Sequence, residues 1–139
     1  MPAPASRSTA APSAPGRVAA GTVVMALFAD LACVVVFAAI GRASHDESAG
    51  LASVWATAWP FLAGCALGWL ASRAWRAPLT MMPTGVAVWL STVAAGMVLR
   101  ALTGTGIAVS FVVVATVVLA LFIVGWRLLV AARRRVLRP

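Results

Sequence analysis

The sequence predicts an all-α polytopic membrane protein with four transmembrane helices and both termini in the cytoplasm. Composition is the first reason: 63% of the 139 residues are hydrophobic, 10% are charged and mean hydropathy is +1.00. A soluble domain is roughly half apolar and a quarter charged. The second reason is length, because four apolar segments each approach the roughly 20 residues that a helix needs to cross about 30 Å of hydrocarbon. The third is the placement of arginine, which falls mostly between alternate segments and so marks one face of the membrane.

Residues 1–17 are rich in Pro, Ala and Ser without apolar periodicity. Such a segment cannot bury enough surface to offset its ordering entropy, which predicts a disordered tail. A four-helix domain is expected over 18–130. Its first helix covers about 18–40 and ends at Gly41-Arg42. Asp30 sits just before Leu31-Ala32-Cys33, and an apolar run follows it, so neither a cleaved signal peptide nor a lipoprotein site fits. A polar loop containing His45, Asp46 and Glu47 leads to a second helix over about 51–71, interrupted by Pro60. The third helix is expected over about 79–99, with Pro83 in its first turn, where a missing N–H costs little. Thr103-Gly-Thr-Gly106 is a turn, and the fourth helix covers about 107–126. Arg127, Arg133, Arg134, Arg135 and Arg138 then form a basic end, with 131–139 as the C-terminal tail.

With the N-terminus inside, Arg7, Arg17, Arg73, Arg76, Arg127, Arg133, Arg134, Arg135 and Arg138 fall on the inner side, against Arg42 and Arg100 on the outer side. That split places both termini in the cytoplasm. Trp55 at one face and Trp69, Trp75 and Trp126 at the other suit interfacial belts, whereas Trp59 and Trp89 lie deeper and are expected between helices. Arginine without lysine in an Ala-rich chain suggests GC-rich coding, and with it the plasma membrane of a prokaryote.

The chain has no Lys, Tyr, Asn or Gln, which removes Schiff-base, phenol and carboxamide chemistry. No Ser lies in a Gly-x-Ser-x-Gly turn, and His45 is the one imidazole, so no hydrolase constellation forms. One His is too few for an ordinary zinc site, and no cofactor is expected. Cys33 and Cys65 lie in apolar runs as small hydrophobes, with no disulfide expected.

Two polar constellations remain. Counting about 1.5 Å per residue from the helix ends brings Asp30, Pro60 with Thr57 on the turn before it, Ser91, Thr92 and Thr116 to one layer near the midplane. A carboxylate there is costly, and Pro60 frees the Ala56 carbonyl, so a proton or cation site at a broken helix is one expectation. The other is that Asp30 is a structural tie and that the hydroxyls bond back to their own helices. The second constellation is Arg42, His45, Asp46, Glu47 and Arg100 on the outer face. It is either a cluster of solvated, mutually paired charges or an arginine clamp for an anionic head group. Gly64 and Gly68 form a GxxxG pattern that permits close helix approach, within the bundle or between copies. Arg133, Arg134 and Arg135 are expected on anionic lipid, with no nucleic acid partner.

Several stretches taken together carry a resemblance: Gly41-Arg42-Ala-Ser44-His45-Asp46-Glu47, Thr57-Ala-Trp59-Pro60-Phe61, Arg73-Ala-Trp75-Arg76-Ala-Pro78, Pro83-Thr84-Gly85-Val86 and Leu99-Arg100-Ala-Leu-Thr103-Gly104. The chain resembles, over about residues 25–130, an uncharacterised family of small four-helix integral membrane proteins from high-GC bacteria and some archaea, a domain of unknown function. That resemblance implies fold and membrane location and brings no activity with it. From the residues, the expected function is transport-related, with Asp30 as proton or cation site. The alternative is an assembly or interaction partner of other membrane proteins, or of further copies of itself, without chemistry of its own.

Overall fold

The computed structural model describes residues 16–44 and 50–138. Four long helices account for most of them: α1 (Ala20–Ala43), α2 (Leu51–Ser72), α3 (Val86–Leu102) and α4 (Val109–Val136). All four spans are long and apolar enough to cross a membrane, the third counted from Met81 to Leu102. At about 1.5 Å per residue, α1 is roughly 36 Å long and α4 roughly 42 Å. The chain is a multi-pass membrane protein.

The helices form a closed ring. α2 and α3 pack most closely, α1 lies on α2, α4 lies on α3, and α1 meets α4 to close the circle. Each helix turns a stripe at three- and four-residue spacing inward: Ala26, Asp30, Val34 and Phe37 on α1, and Ala115, Leu119, Ile123 and Arg127 on α4. From α2 come Ala58, Phe61, Cys65 and Trp69, and from α3 Val88, Thr92 and Gly96. The opposite faces expose large apolar side chains such as Phe28, Leu70, Leu121 and Leu129, which suits a lipid solvent.

The tight α2–α3 contact follows from Gly64 and Gly68. A Cβ on Gly64 would stand 2.8 Å from the Thr92 carbonyl oxygen, and one on Gly68 would stand 2.9 Å from Val88 Cα. The Ser91 hydroxyl uses the same closeness to donate to the Gly64 carbonyl at 3.0 Å. The GxxxG pattern is therefore consumed inside the bundle.

Two elements depart from the sequence reading. The third helix does not begin at 79 with Pro83 in its first turn. A short 3-10 turn (Ala74–Arg76) and a wide turn (Met81–Gly85) come first, and Met82 inside the latter is extended, with φ −115° and ψ 131°. A residue before proline is pushed from the helical to the extended region, so the regular helix starts after Pro83. The fourth helix does not stop at Trp126 but runs to Val136, because Leu128, Leu129 and Val130 continue its apolar character and the following arginines are good helix formers.

Candidate functional site: a buried ion pair below a two-arginine pocket

Asp30, on the inward stripe of α1, is fully buried. Its carboxylate receives Arg127 from α4 through two parallel bonds, Nη1 to Oδ1 at 2.7 Å and Nη2 to Oδ2 at 2.7 Å. Two indoles complete the set: Trp69 Nε1 donates to Oδ2 at 2.8 Å and Trp126 Nε1 to Oδ1 at 2.9 Å. Each oxygen thus accepts two hydrogen bonds, which uses the roughly four acceptor directions a carboxylate has.

Arg127 is equally well held. Its Nε donates to the Pro78 carbonyl at 3.0 Å, and Nη1 also donates to the Ile123 carbonyl at 2.8 Å. The guanidinium carbon lies 4.5 Å from the centre of the Trp126 ring, within cation–π range. Gly85 makes room for the side chain, since a Cβ there would lie 2.9 Å from Arg127 Cδ. One ion pair therefore joins α1, α2, α4 and the α2–α3 connection. Trp69 lies about one turn from the end of α2 and Asp30 ten residues from the start of the 24-residue α1, so the pair sits in the terminus-bearing half of the bundle.

The expected partners of Asp30 are engaged elsewhere. Thr92 donates to the Val88 carbonyl at 2.6 Å and Thr116 to the Val112 carbonyl at 2.7 Å, both within their own helices, and Ser91 serves Gly64. Thr57 donates to the Ser53 carbonyl, and Pro60 is buried in α2 without a share in the Asp30 bonds. The sequence alone groups Arg127 with the basic end that follows the fourth helix and sets Trp69 and Trp126 in an interfacial belt. The four-residue register Ala115, Leu119, Ile123, Arg127 was the available signal, because it puts this arginine on the same stripe as three apolar core positions. Trp89 does lie between helices, donating to the Thr116 carbonyl at 3.0 Å.

At the other end of the bundle a cavity of about 680 Å³ is lined by all four helices and the α3–α4 connection. Arg42 and Arg100 both line it, as does Thr57. Phe37 and Phe111 form apolar wall, and with Phe61 they make a cluster of rings at 5.4–6.2 Å between centroids. The Arg100 guanidinium carbon stands 4.3 Å from the centre of the Phe111 ring, and its Nη2 reaches the Thr105 carbonyl at 3.4 Å. Arg100 Nε is buried with no hydrogen-bond partner. Arg42 donates through Nε to the Ser53 carbonyl at 3.2 Å. Among the described residues the ion pair of Asp30 and Arg127 is the only one, so neither pocket arginine is neutralised by a described carboxylate. His45, Asp46 and Glu47 lie outside the described residues, and among the described ones no three His, Cys, Asp or Glu side chains come together.

The two sites have opposite character. The buried one holds matched charges with every carboxylate acceptor direction used, and the one at the loop end holds two cations beside an apolar wall. No curated protein and no solved structure matches the chain. Residues 27–130 do match a family described as a protein of unknown function (DUF3054), a stretch that begins three residues before Asp30 and ends three after Arg127. The chain belongs to that family of unknown function, and the matched stretch contains both halves of its buried ion pair.

Proposed function

We propose that the protein is a ligand-binding, transport-related membrane protein whose working site is the cavity at the loop end, and that its ligand carries an anionic group. The observation that carries this reading is the pairing of Arg42 and Arg100 on one cavity of about 680 Å³, with Arg100 Nε buried and unpartnered. Small-molecule sites are typically about 300–1,000 Å³, largely apolar, with a few convergent polar groups, and this cavity has that make-up. Arginine is the side chain best matched to carboxylate and phosphate, because its fork presents parallel N–H donors.

The buried pair takes the other half of the task. Asp30 is a structural tie that closes the terminus-bearing end of the bundle, and its saturated carboxylate favours this over a proton or cation site. The remaining solvated arginines support an orientation with both termini in the cytoplasm and the cavity facing away from it. With Arg127 withdrawn from the count, Arg17, Arg73, Arg76, Arg133, Arg134, Arg135 and Arg138 still stand exposed at the terminus-bearing end. The run Arg133, Arg134, Arg135 meets anionic lipid there, in the plasma membrane of the cell. An assembly role has less support, since Gly64 and Gly68 are spent within the bundle.

A thermal-shift series on detergent-purified protein tests the reading with inorganic phosphate, alkyl phosphates and alkyl carboxylates as probes. At least one anion should raise the melting temperature of the parent by several degrees and leave Arg42→Gln unmoved. A parent indifferent to every anion in the series would overturn the proposal.

A further inference from the structure

The lining of the same cavity narrows the ligand further. Its polar groups gather where Arg42, Arg100 and Thr105 meet, while Phe37, Ile40, Phe111, Val114 and Val118 carry the wall down along α1 and α4. Phe37 is two turns from Asp30 along α1, so the apolar wall ends roughly 10 Å from the ion pair, and the buried core residues Val34, Phe61 and Leu119 occupy the turns between them. Two of the wall residues also belong to the outer surface: Ile40 is 53% exposed and Val114 54% exposed, on the α1 and α4 faces that meet lipid. The cavity therefore extends to the seam between these two helices.

A small hydrated anion gains nothing from such a wall. It would exchange a full shell of water for two guanidinium groups on one side and aromatic and aliphatic carbon on the other, which leaves its remaining acceptors unsatisfied. An amphiphile satisfies both halves: an anionic head under Arg42 and Arg100, and an apolar chain along Phe37, Phe111, Val114 and Val118. Its chain gains burial against carbon while its head receives charge-assisted hydrogen bonds from the Arg42 and Arg100 guanidinium groups that line the cavity.

Resting on the anion-binding reading above, we infer that the ligand is a single-chain anionic amphiphile with a phosphate or carboxylate head, taken up from the bilayer through the seam between α1 and α4. The head stays at the loop end, level with Arg42 and Arg100, and the chain lies against the wall of Phe37, Phe111, Val114 and Val118. Lateral entry follows because the residues that line the cavity at the seam are also the ones in contact with lipid.

Equilibrium binding to the full chain in nanodiscs of zwitterionic lipid tests this with three probes: dodecyl phosphate, inorganic phosphate and the uncharged dodecyl maltoside. Dodecyl phosphate is expected to bind saturably at one per chain, with the other two showing no saturable binding. Arg42→Gln, at an exposed position, should weaken dodecyl phosphate binding about tenfold, the loss of one charge-assisted contact. Val114→Trp, which narrows the seam, should weaken it comparably, with circular dichroism confirming that both variants keep the parent's helix. Inorganic phosphate binding as tightly as dodecyl phosphate, and still dependent on Arg42, would overturn the amphiphile while leaving the anion site standing. Equal binding of dodecyl maltoside, or dodecyl phosphate binding unchanged in both variants, would overturn the amphiphile as an occupant of this cavity. Absence of binding by either phosphate would bring down the anion reading as well.

Discussion

Asp30 and Arg127 hold each other in a place where neither charge could stay alone. Moving an ion out of water costs several kcal/mol even after relaxation, and only close geometry with every donor and acceptor used recovers it. The carboxylate meets that condition with four N–H donors, and the guanidinium uses four of its five N–H groups, two on Asp30 and two on the carbonyls of Pro78 and Ile123. Removing one partner is therefore much worse than removing both. Asp30→Asn keeps an acceptor for one indole, turns an NH2 donor toward the other and leaves Arg127 as an uncompensated buried cation, and should destabilise the bundle by about 3–5 kcal/mol. The double variant Asp30→Leu, Arg127→Leu should recover most of that loss, because it removes the stranded charge; a detergent or nanodisc unfolding series on the two variants checks the order. A double variant as unstable as Asp30→Asn would mean that the two Trp N–H groups, not the charges, carry the cost.

Among the elements, α2 and α3 set the geometry that the others follow. Their approach is close enough that backbone faces backbone at Gly64 and Gly68, and neither side has a flexible atom to move aside. Gly64→Ala would push the helices apart at the Thr92 carbonyl, and should cost about 1–3 kcal/mol with loss of the Ser91 to Gly64 hydrogen bond, read as a lowered melting temperature. Gly125 on α4 has nothing within 4 Å of its would-be Cβ, so Gly125→Ala should leave stability unchanged or raise it by about 0.5–1 kcal/mol through helix propensity. The pair of substitutions separates glycine needed for contact from glycine merely present. The α2–α3 connection matters for a further reason: Pro78 supplies a carbonyl to Arg127, and Gly85 gives the side chain its passage.

The whole molecule is a lipid-solvated ring with a tied end and an open end. Because its outside is apolar, the exposed arginines do the work of setting orientation, and they crowd the terminus-bearing end. A membrane-impermeant thiol reagent added to intact cells should label Cys introduced at Thr105, on the loop end, and miss Cys introduced at Arg76, both exposed positions. The native Cys33 and Cys65 lie inside spans and should not react. The opposite labelling pattern would invert the topology. Deleting residues 1–15 should leave helical circular dichroism and melting temperature nearly as in the parent, since the family match begins only at residue 27.

Much of this protein is determined by its sequence alone. Four apolar runs of near-membrane length dictate four spans, because hydrocarbon tolerates only backbone that satisfies its own hydrogen bonds. Asp30 is conspicuous in the sequence for the same reason: a carboxylate inside an apolar run must have a partner. Who the partner is, only the tertiary structure decided. Arg127 lies 97 residues away and directly precedes an apolar triplet and a basic run, so in sequence it passes for one more interfacial arginine. What distinguishes it is the direction it faces once α4 continues to Val136 and its four-residue stripe turns inward. The hydroxyls of Thr92 and Thr116 share the interior but spend their hydrogen bonds on the preceding turns of their own helices, a local competition that depth estimates ignore. The loop-end cavity was legible only in part: Arg42 and Arg100 could be placed on one face by topology. That Phe37, Phe111, Val114 and Val118 line the same space depends on how four helices meet, and spacing along the chain records only the helix on which each residue lies.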